Sequence, residues 1–390
     1  TRTWTGRRGC GVKICYDVSQ TGALKAGCGY FAHGLISTLA DIDTANNYVL
    51  CPAVGDLFWD PDCATATFDS PLENFRRLPA PRNFAESIEF WSDPPADFEA
   101  RLDNPDIFHA NNFFCPGSFA RARVVYTLYD LSFLVNPEWT TEANRVGCFS
   151  GVFQASMSAD FVVAISESSQ RHFNEVFPHY PAERMGVVYP ASRFSGRRAA
   201  PRPARLARFK PGRFWLSVAT LEPRKNHRRL IEAYALHRRE SGSAMPLVLA
   251  GGSGWMMESF RNEVGEGVEL TGYLQDAELQ WLYENCYAFV YPSLFEGFGM
   301  PVLEAMDLGA AVICSRSTSL PEIVGDAGLL VDPTDAGAIA AAMRALVCGQ
   351  HDRKRLRTLA AERAKRFSWR DSAGRMLDIY KATMERPRFQ

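Results

Sequence analysis

The sequence predicts an α/β protein of two domains, each a parallel sheet covered by helices on both faces. Short apolar runs alternate with longer amphipathic runs from end to end, the pattern of buried strands joined by helices. The strand-like runs form two series, parted by a stretch dense in Pro, Arg and Ala with neither helical nor strand period. At 390 residues the chain also exceeds what one ordinary core organises.

Taken in order, Val12–Val18 reads as the first strand. Gly27-Cys28-Gly29-Tyr30 follows it as a turn and Phe31–Leu39 as a helix, so both glycines fall near a strand's carboxyl end, where open α/β sheets bind ligands. Tyr48–Pro52, Ile107–Ala110, Val124–Leu128, Phe161–Ile165 and Gly186–Tyr189 complete the first series. Residues 54–105 are irregular, aromatic and Pro-rich, and no architecture is assigned to them. Pro190–Gly212 reads as a solvated inter-domain linker, with arginines that can also meet acidic lipid headgroups.

The second series comprises Phe214–Ala219, Leu247–Ala250, Val268–Leu270, Ala288–Tyr291, Ala311–Cys314 and Gly328–Val331, with a helix at Asn226–Arg239. Helical stretches at Asp335–Cys348, Asp352–Arg366 and Trp369–Met384 close the chain. The domains expected are 1–200 and 210–365, with 366–390 as a terminal helix.

Composition removes several classes of function. Net charge is −1, so no overall basic field draws nucleic acid or an acidic membrane. The 10 cysteines are scattered without a C-x-x-C pair and read as buried thiols of a reducing, cytoplasmic compartment. No apolar run approaches the ~18–20 residues that span a bilayer. The polar, Arg- and Gly-rich start does not resemble a signal peptide, although the chain begins without Met.

One element concentrates chemistry: Tyr291-Pro-Ser-Leu-Phe-Glu-Gly-Phe-Gly-Met-Pro-Val-Leu-Glu-Ala-Met306. A strand runs into a loop holding Glu296, Gly297, Phe298 and Gly299, and a helix opens at Pro301, a residue suited to the first helical position. Amides of Gly299, Met300 and Val302 at such a helix start suit a phosphate, and the two glycines admit a close ligand. Glu296 and Glu304 flank the element, and carboxylates accept hydrogen bonds from sugar and ribose diols. Directly after the strand Phe214–Ala219, Arg224 and Lys225 offer a planar fork and a point charge for a leaving diphosphate.

The Glu296-x7-Glu304 element resembles the paired-glutamate motif of family 4 retaining glycosyltransferases of the GT-B fold, particularly bacterial polysaccharide mannosyltransferases. Ser217-Val-Ala-Thr-Leu-Glu-Pro-Arg-Lys-Asn226, Leu249-Ala-Gly-Gly-Ser-Gly-Trp255 and Leu320-Pro-Glu-Ile-Val-Gly-Asp-Ala-Gly-Leu-Leu-Val-Asp-Pro333 are similar to other family segments. The resemblance implies two Rossmann-like domains facing across a cleft, the first for acceptor and the second for a nucleotide diphosphate sugar. It implies that Glu296 and His109 meet the donor sugar, Glu304 the ribose, and Arg224 and Lys225 the diphosphate. A glycine-rich loop at Gly27 and Gly29 and backbone near Tyr273 and Leu274 complete the donor site. For Asp130 the resemblance leaves two readings, binding acceptor or holding the loop; this chain has Tyr129 where relatives usually carry His.

The donor implied is GDP-mannose, with UDP-glucose, UDP-galactose and their N-acetyl forms open. The acceptor implied is a glycan or lipid-linked oligosaccharide, which would bring the enzyme to the inner membrane face in polysaccharide or lipopolysaccharide assembly. No cofactor or metal is expected: the D-x-D strings, Asp41-Ile-Asp43 and Asp60-Pro-Asp62, lie far from the glutamates in sequence. Readings of other classes are a sugar-nucleotide epimerase, a non-catalytic nucleotide-sugar-binding subunit, and an oxidoreductase reading Gly27, Gly29 and Ala32 as a dinucleotide fingerprint.

Overall fold

The computed structural model describes residues 11–389 except 24, 53, 55–61, 64, 118, 243–244, 253, 255–259 and 261–263. Asp60, Pro61, Ser253 and Trp255, all named above, and Cys10, one of the ten cysteines, lie outside the described residues.

Two parallel sheets organise the chain. The first holds β1 (Lys13–Asp17), β2 (Asn47–Cys51), β3 (Phe75–Arg77), β4 (Ile107–Ala110), β5 (Arg123–Leu128), β6 (Phe161–Ala164) and β7 (Met185–Val187). The second holds β8 (Trp215–Val218), β9 (Leu247–Ala250), β10 (Val268–Gly272), β11 (Ala288–Tyr291), β12 (Val312–Ser315) and β13 (Leu329–Val331). Their orders are β3-β2-β1-β4-β5-β6-β7 and β10-β9-β8-β11-β12-β13. The core strands read Ile-Phe-His-Ala in β4, Leu-Val-Leu-Ala in β9 and Ala-Phe-Val-Tyr in β11, buried at every position because helices cover both faces.

Both orders reverse direction at one gap, between β1 and β4 and between β8 and β11. Loops leaving the carboxyl ends of those strands diverge and open a crevice, where such sheets bind ligands. In the first sheet the gap is tied by Asp17, whose Oδ2 accepts from the Asn111 amide at 3.0 Å. In the second, the β8 loop carries Arg224 and Lys225 and the β11 loop carries Glu296.

The terminal helix Trp369–Glu385 returns to the first sheet. Its N-cap Ser368 accepts from Asp371, and Trp369 lies 6.1 Å from Phe31, on the helix Gly27–Ile42. Gly34 admits this crossing, since a methyl there would sit 2.4 Å from the Trp369 ring. One apolar cluster therefore runs from Ile14, Leu35 and Val163 through Phe298 and Met306 to Met376.

Two expectations change. Gly27 and Gly29 lie in the first turn of the helix Gly27–Ile42, not in a loop before it. Residues 190–212 are not a solvated linker: Phe194, Leu206 and Phe209 are buried in the cluster just described. The arginines named next are engaged within the chain: Arg197 with Asp276, Arg205 with the Thr271 and Tyr273 carbonyls, and Arg208 with Glu269.

Candidate active site

The β11 loop folds against the β8 loop through backbone. Leu294 donates its amide to the Arg224 carbonyl at 2.9 Å, and Arg224 Nη1 donates to the Phe295 carbonyl at 2.7 Å. This brings Glu296 under both cations. Its Oε1 lies 2.8 Å from Lys225 Nζ, and its Oε2 lies 3.4 Å from Arg224 Nη1. Tyr291 and Ser293 hydroxyls donate to Oε1 at 2.9 and 2.6 Å. Burial opposes ionisation of this carboxyl, but Lys225 and Arg224 outweigh it and, with the hydrogen bonds from Lys225 and Ser293, hold the group at about 2. Glu296 is therefore an anion at neutral pH, in a site largely screened from water.

Glu304 belongs to a different cluster. It is 2% exposed, on the helix Met300–Asp307, where Tyr283 donates to its Oε2 at 3.2 Å. Arg193 supplies its cation: Nη2 donates at 3.3 Å, and Nε stands 2.9 Å from Oε1 as an ion pair without an aligned hydrogen bond. Burial raises the Glu304 carboxyl above its ordinary range, although Arg193 pulls the other way. The same guanidinium stacks 4.3 Å from the Tyr30 ring, so the helix Gly27–Ile42 of the first sheet meets Glu304 through it. Arg193 has no counterpart among the sequence expectations; its signal was the apolar Phe194 beside it in a stretch read as linker.

The glycines have protein reasons as well as ligand ones. A methyl on Gly297 would sit 2.3 Å from the Tyr129 carbonyl and 2.9 Å from Asp130 Cβ, so the first sheet's loop occupies that space. Gly299 has φ +108° at the helix N-cap, and its missing side chain leaves room for Leu320. Gly29 is likewise packed tightly, against the Gln20 carbonyl, whereas among the described residues nothing lies within 4 Å of a methyl placed on Gly27. Gly27 is the position of this set that stands open to a ligand.

Several expected contacts are corrected. The Val302 amide is not free; it donates to the Gly299 carbonyl at 2.9 Å, which leaves those of Gly299 and Met300 without an acceptor among the described residues. Phe298 packs between Tyr189 and Phe367 in the core, and Leu274 is buried, while Tyr273 is 56% exposed. His109 does not line the crevice. It is wholly buried, with Nδ1 2.6 Å from the Tyr380 hydroxyl and Nε2 2.9 Å from Thr127 Oγ1, and burial lowers it to about 3. Tyr129 is buried too, its hydroxyl spanning the Asn111 and Cys28 carbonyls at 2.8 and 3.2 Å. Asp130 remains at the crevice, accepting from the Ser132 amide at 2.9 Å. Asp43 caps the first helix's end and accepts from Tyr48, and no three His, Cys, Asp or Glu among the described residues are grouped to hold a metal.

Residues 202–363 match the family model described as glycosyl transferases group 1. Over 285 residues the chain is 35% identical to the O-antigen chain mannosyltransferase B of Escherichia coli, covering 70% of this chain and 74% of that one. The chain belongs to the group 1 glycosyltransferases. It is also 37% identical over 174 residues to the serotype-specific mannosyltransferase WbdA of Escherichia coli, 42% of this chain but only 21% of that longer protein. Among solved structures, Anabaena HepE in complex with UDP and glucose superposes with TM-score 0.66 at 17% identity, over 95% of this chain and all (100%) of the other. That likeness shows the GT-B fold, two Rossmann-like units. A group 1 glycosyltransferase implies a nucleotide-sugar donor and a glycan acceptor, and the crevice between β8 and β11 is the place in this fold suited to the donor. None of this enzyme's described helices is long and apolar enough to cross a membrane.

Proposed function

We propose that this enzyme transfers mannose from GDP-mannose to a glycan or lipid-linked oligosaccharide, with retention, in polysaccharide assembly. The observation that carries the site assignment is the ionised, buried Glu296 between Lys225 and Arg224 at the crevice of the second sheet. The choice of mannose rests on the relatives called mannosyltransferases.

Departure of the nucleoside diphosphate builds negative charge on phosphate oxygen and positive charge on the anomeric carbon, and fixed charges aimed at both lower the barrier. Donor binding exchanges partners within the cluster. Phosphate oxygens accept from Lys225, Arg224 and the amides of Gly299 and Met300, while Glu296 turns to the sugar hydroxyls. Glu304, steadied by Arg193, accepts from the ribose diol, and Gly27 lets the donor approach the first sheet. The acceptor hydroxyl, near Asp130, attacks the face that the diphosphate leaves. The bond from the anomeric carbon to phosphate oxygen breaks, the new glycosidic bond forms, and the acceptor's proton passes to the departing oxygen.

A lipid-linked acceptor would draw the enzyme to the inner face of the plasma membrane as a peripheral protein. The test is transfer from a panel of GDP-mannose, UDP-glucose, UDP-galactose and their N-acetyl forms to a lipid-linked mannosyl acceptor, read as released nucleotide and product anomer. Turnover with GDP-mannose and a retained anomer supports the reading. Turnover with UDP donors alone overturns the donor, and an epimerised free donor overturns the reaction.

A further inference from the structure

The loop that bears Glu296 is gripped from both sheets at successive peptide groups. From its own side, Ser319 Oγ reaches the Glu296 and Phe298 carbonyls at 3.0 and 2.7 Å, and Thr318 Oγ1 accepts from the Glu296 amide at 3.0 Å. The carbonyl between them, that of Gly297, is left to the other sheet. Ser166 Oγ donates to it at 2.5 Å, and Ser169 Oγ lies 3.1 Å away while also reaching the Tyr129 carbonyl at 2.9 Å. All three serines are buried.

Ser166 is the N-cap of the helix Glu167–Val176, accepting from the Ser169 amide at 2.9 Å. Capping needs only an acceptor. The hydroxyl's shorter contact as donor is to a carbonyl 131 residues along the chain, on the peptide next to Glu296, at 2.5 Å against 3.1 Å to Ser169 Oγ. The same helix start is held a second time, by Glu322, whose carboxylate accepts from the Glu167 and Ser168 amides at 2.7 and 3.1 Å. A methyl on Gly297 would collide with the Tyr129 carbonyl, so the two sheets approach closely at this peptide.

We infer that Ser166 is a positioning residue for catalysis: it ties the approach of the two sheets to the placement of Glu296, acting through the Gly297 carbonyl. The inference rests on the role proposed for Glu296. When the sheets part at this point, the grip is released and the backbone that carries Glu296 is held from its own sheet alone.

The test uses the full chain. Ser166→Gly removes the nearer of the two hydroxyls on the Gly297 carbonyl, leaving Ser169 at 3.1 Å, and glycine is tolerated at an N-cap with little loss. Ser166→Thr restores acceptor and donor together. We expect Ser166→Gly to keep its thermal midpoint near wild type and its donor KM little changed. Its kcat should fall ~10-fold or more, within the ~10²-fold that a misplacement of about 1 Å brings, and Ser166→Thr should recover most of it. In a Glu296→Gln background, Ser166→Gly should add little further loss, because both act through one group. Undiminished kcat in Ser166→Gly, or full multiplication of the two losses, overturns the inference. Should glycine unfold the helix start, Ser166→Asp, a cap acceptor with no proton to give, carries the same test. Normal turnover in Glu296→Gln alone would sink the proposed function; a defect there with normal Ser166→Gly sinks only this inference.

Discussion

Lys225 Nζ stands 2.8 Å from Glu296 Oε1, in a site where each side chain is about one-tenth exposed, 11% and 8%. The cation expected on the diphosphate is thus already engaged by the carboxylate expected on the sugar. The pair keeps two buried charges compensated, and in the proposed mechanism the donor takes each one separately.

Replacing Glu296 with Ala should lower turnover on the order of 10²-fold or more, as loss of a preorganised group facing transition-state charge does. Steady-state kinetics with the preferred donor measure it, with circular dichroism to show the fold intact. Turnover near wild type would remove Glu296 from the mechanism.

Arg193 should matter more for stability than its place in a supposed linker suggests. Arg193→Ala leaves Glu304 buried without its cation, a change that costs about 3–5 kcal/mol. The double variant Arg193→Ala with Glu304→Gln, which removes the orphaned charge, should regain much of it. Urea unfolding of the three proteins decides this; equal losses in both variants would mean that the orphaned Glu304 charge is not what costs stability.

His109 should set an acid limit to stability rather than a rate. Its protonation is favoured in the unfolded chain at an ordinary 6.5 and in the fold only near 3. Folding therefore draws its full benefit from neutral His109 above 6.5 and loses it as pH falls toward 3. Relative to His109→Gln, the wild type should lose about 2 kcal/mol between neutral pH and pH 5, from ~1.4 kcal/mol per pH unit. Parallel stability curves for the two proteins would contradict this, and a large kcat loss in His109→Gln at unchanged stability would return it to the chemistry.

Two glycines offer a contrast. Gly27→Ala meets no atom of the described residues within 4 Å, so it should fold normally and raise the donor KM if the donor passes there. Gly297→Ala pushes a methyl to 2.3 Å from the Tyr129 carbonyl and should lower kcat by separating the sheets at Glu296. Calorimetry together with donor titration separates the two effects; identical behaviour of the variants would refute the distinction.

Much of the fold was legible because parallel strands covered on both faces read as continuous apolar runs, so β4, β9 and β11 matched their expected bounds. β3, Phe-Arg-Arg, has no such run and went unassigned. The first helix began earlier than expected because it opens on glycines with no side-chain cap at Ala26. Glu296, Arg224 and Lys225, expected as site residues from short sequence elements, lie together in the structure. His109 was misplaced because its fate depends on Tyr380, 271 residues away, which no local pattern reveals. Arg193 was hidden because a partner on another element, not a period, orders it.

The central claim, a nucleotide diphosphate sugar held by the Glu296 cluster, is tested most directly by thermal shift with GDP, UDP, ADP and NAD on wild type and Lys225→Ala. At ~100 times its dissociation constant a ligand adds about 2.7 kcal/mol to stability. GDP alone should give that shift in wild type, and at the same concentration give little in Lys225→Ala. Stabilisation by NAD instead, no shift with any nucleotide, or an undiminished GDP shift in the variant would contradict the account.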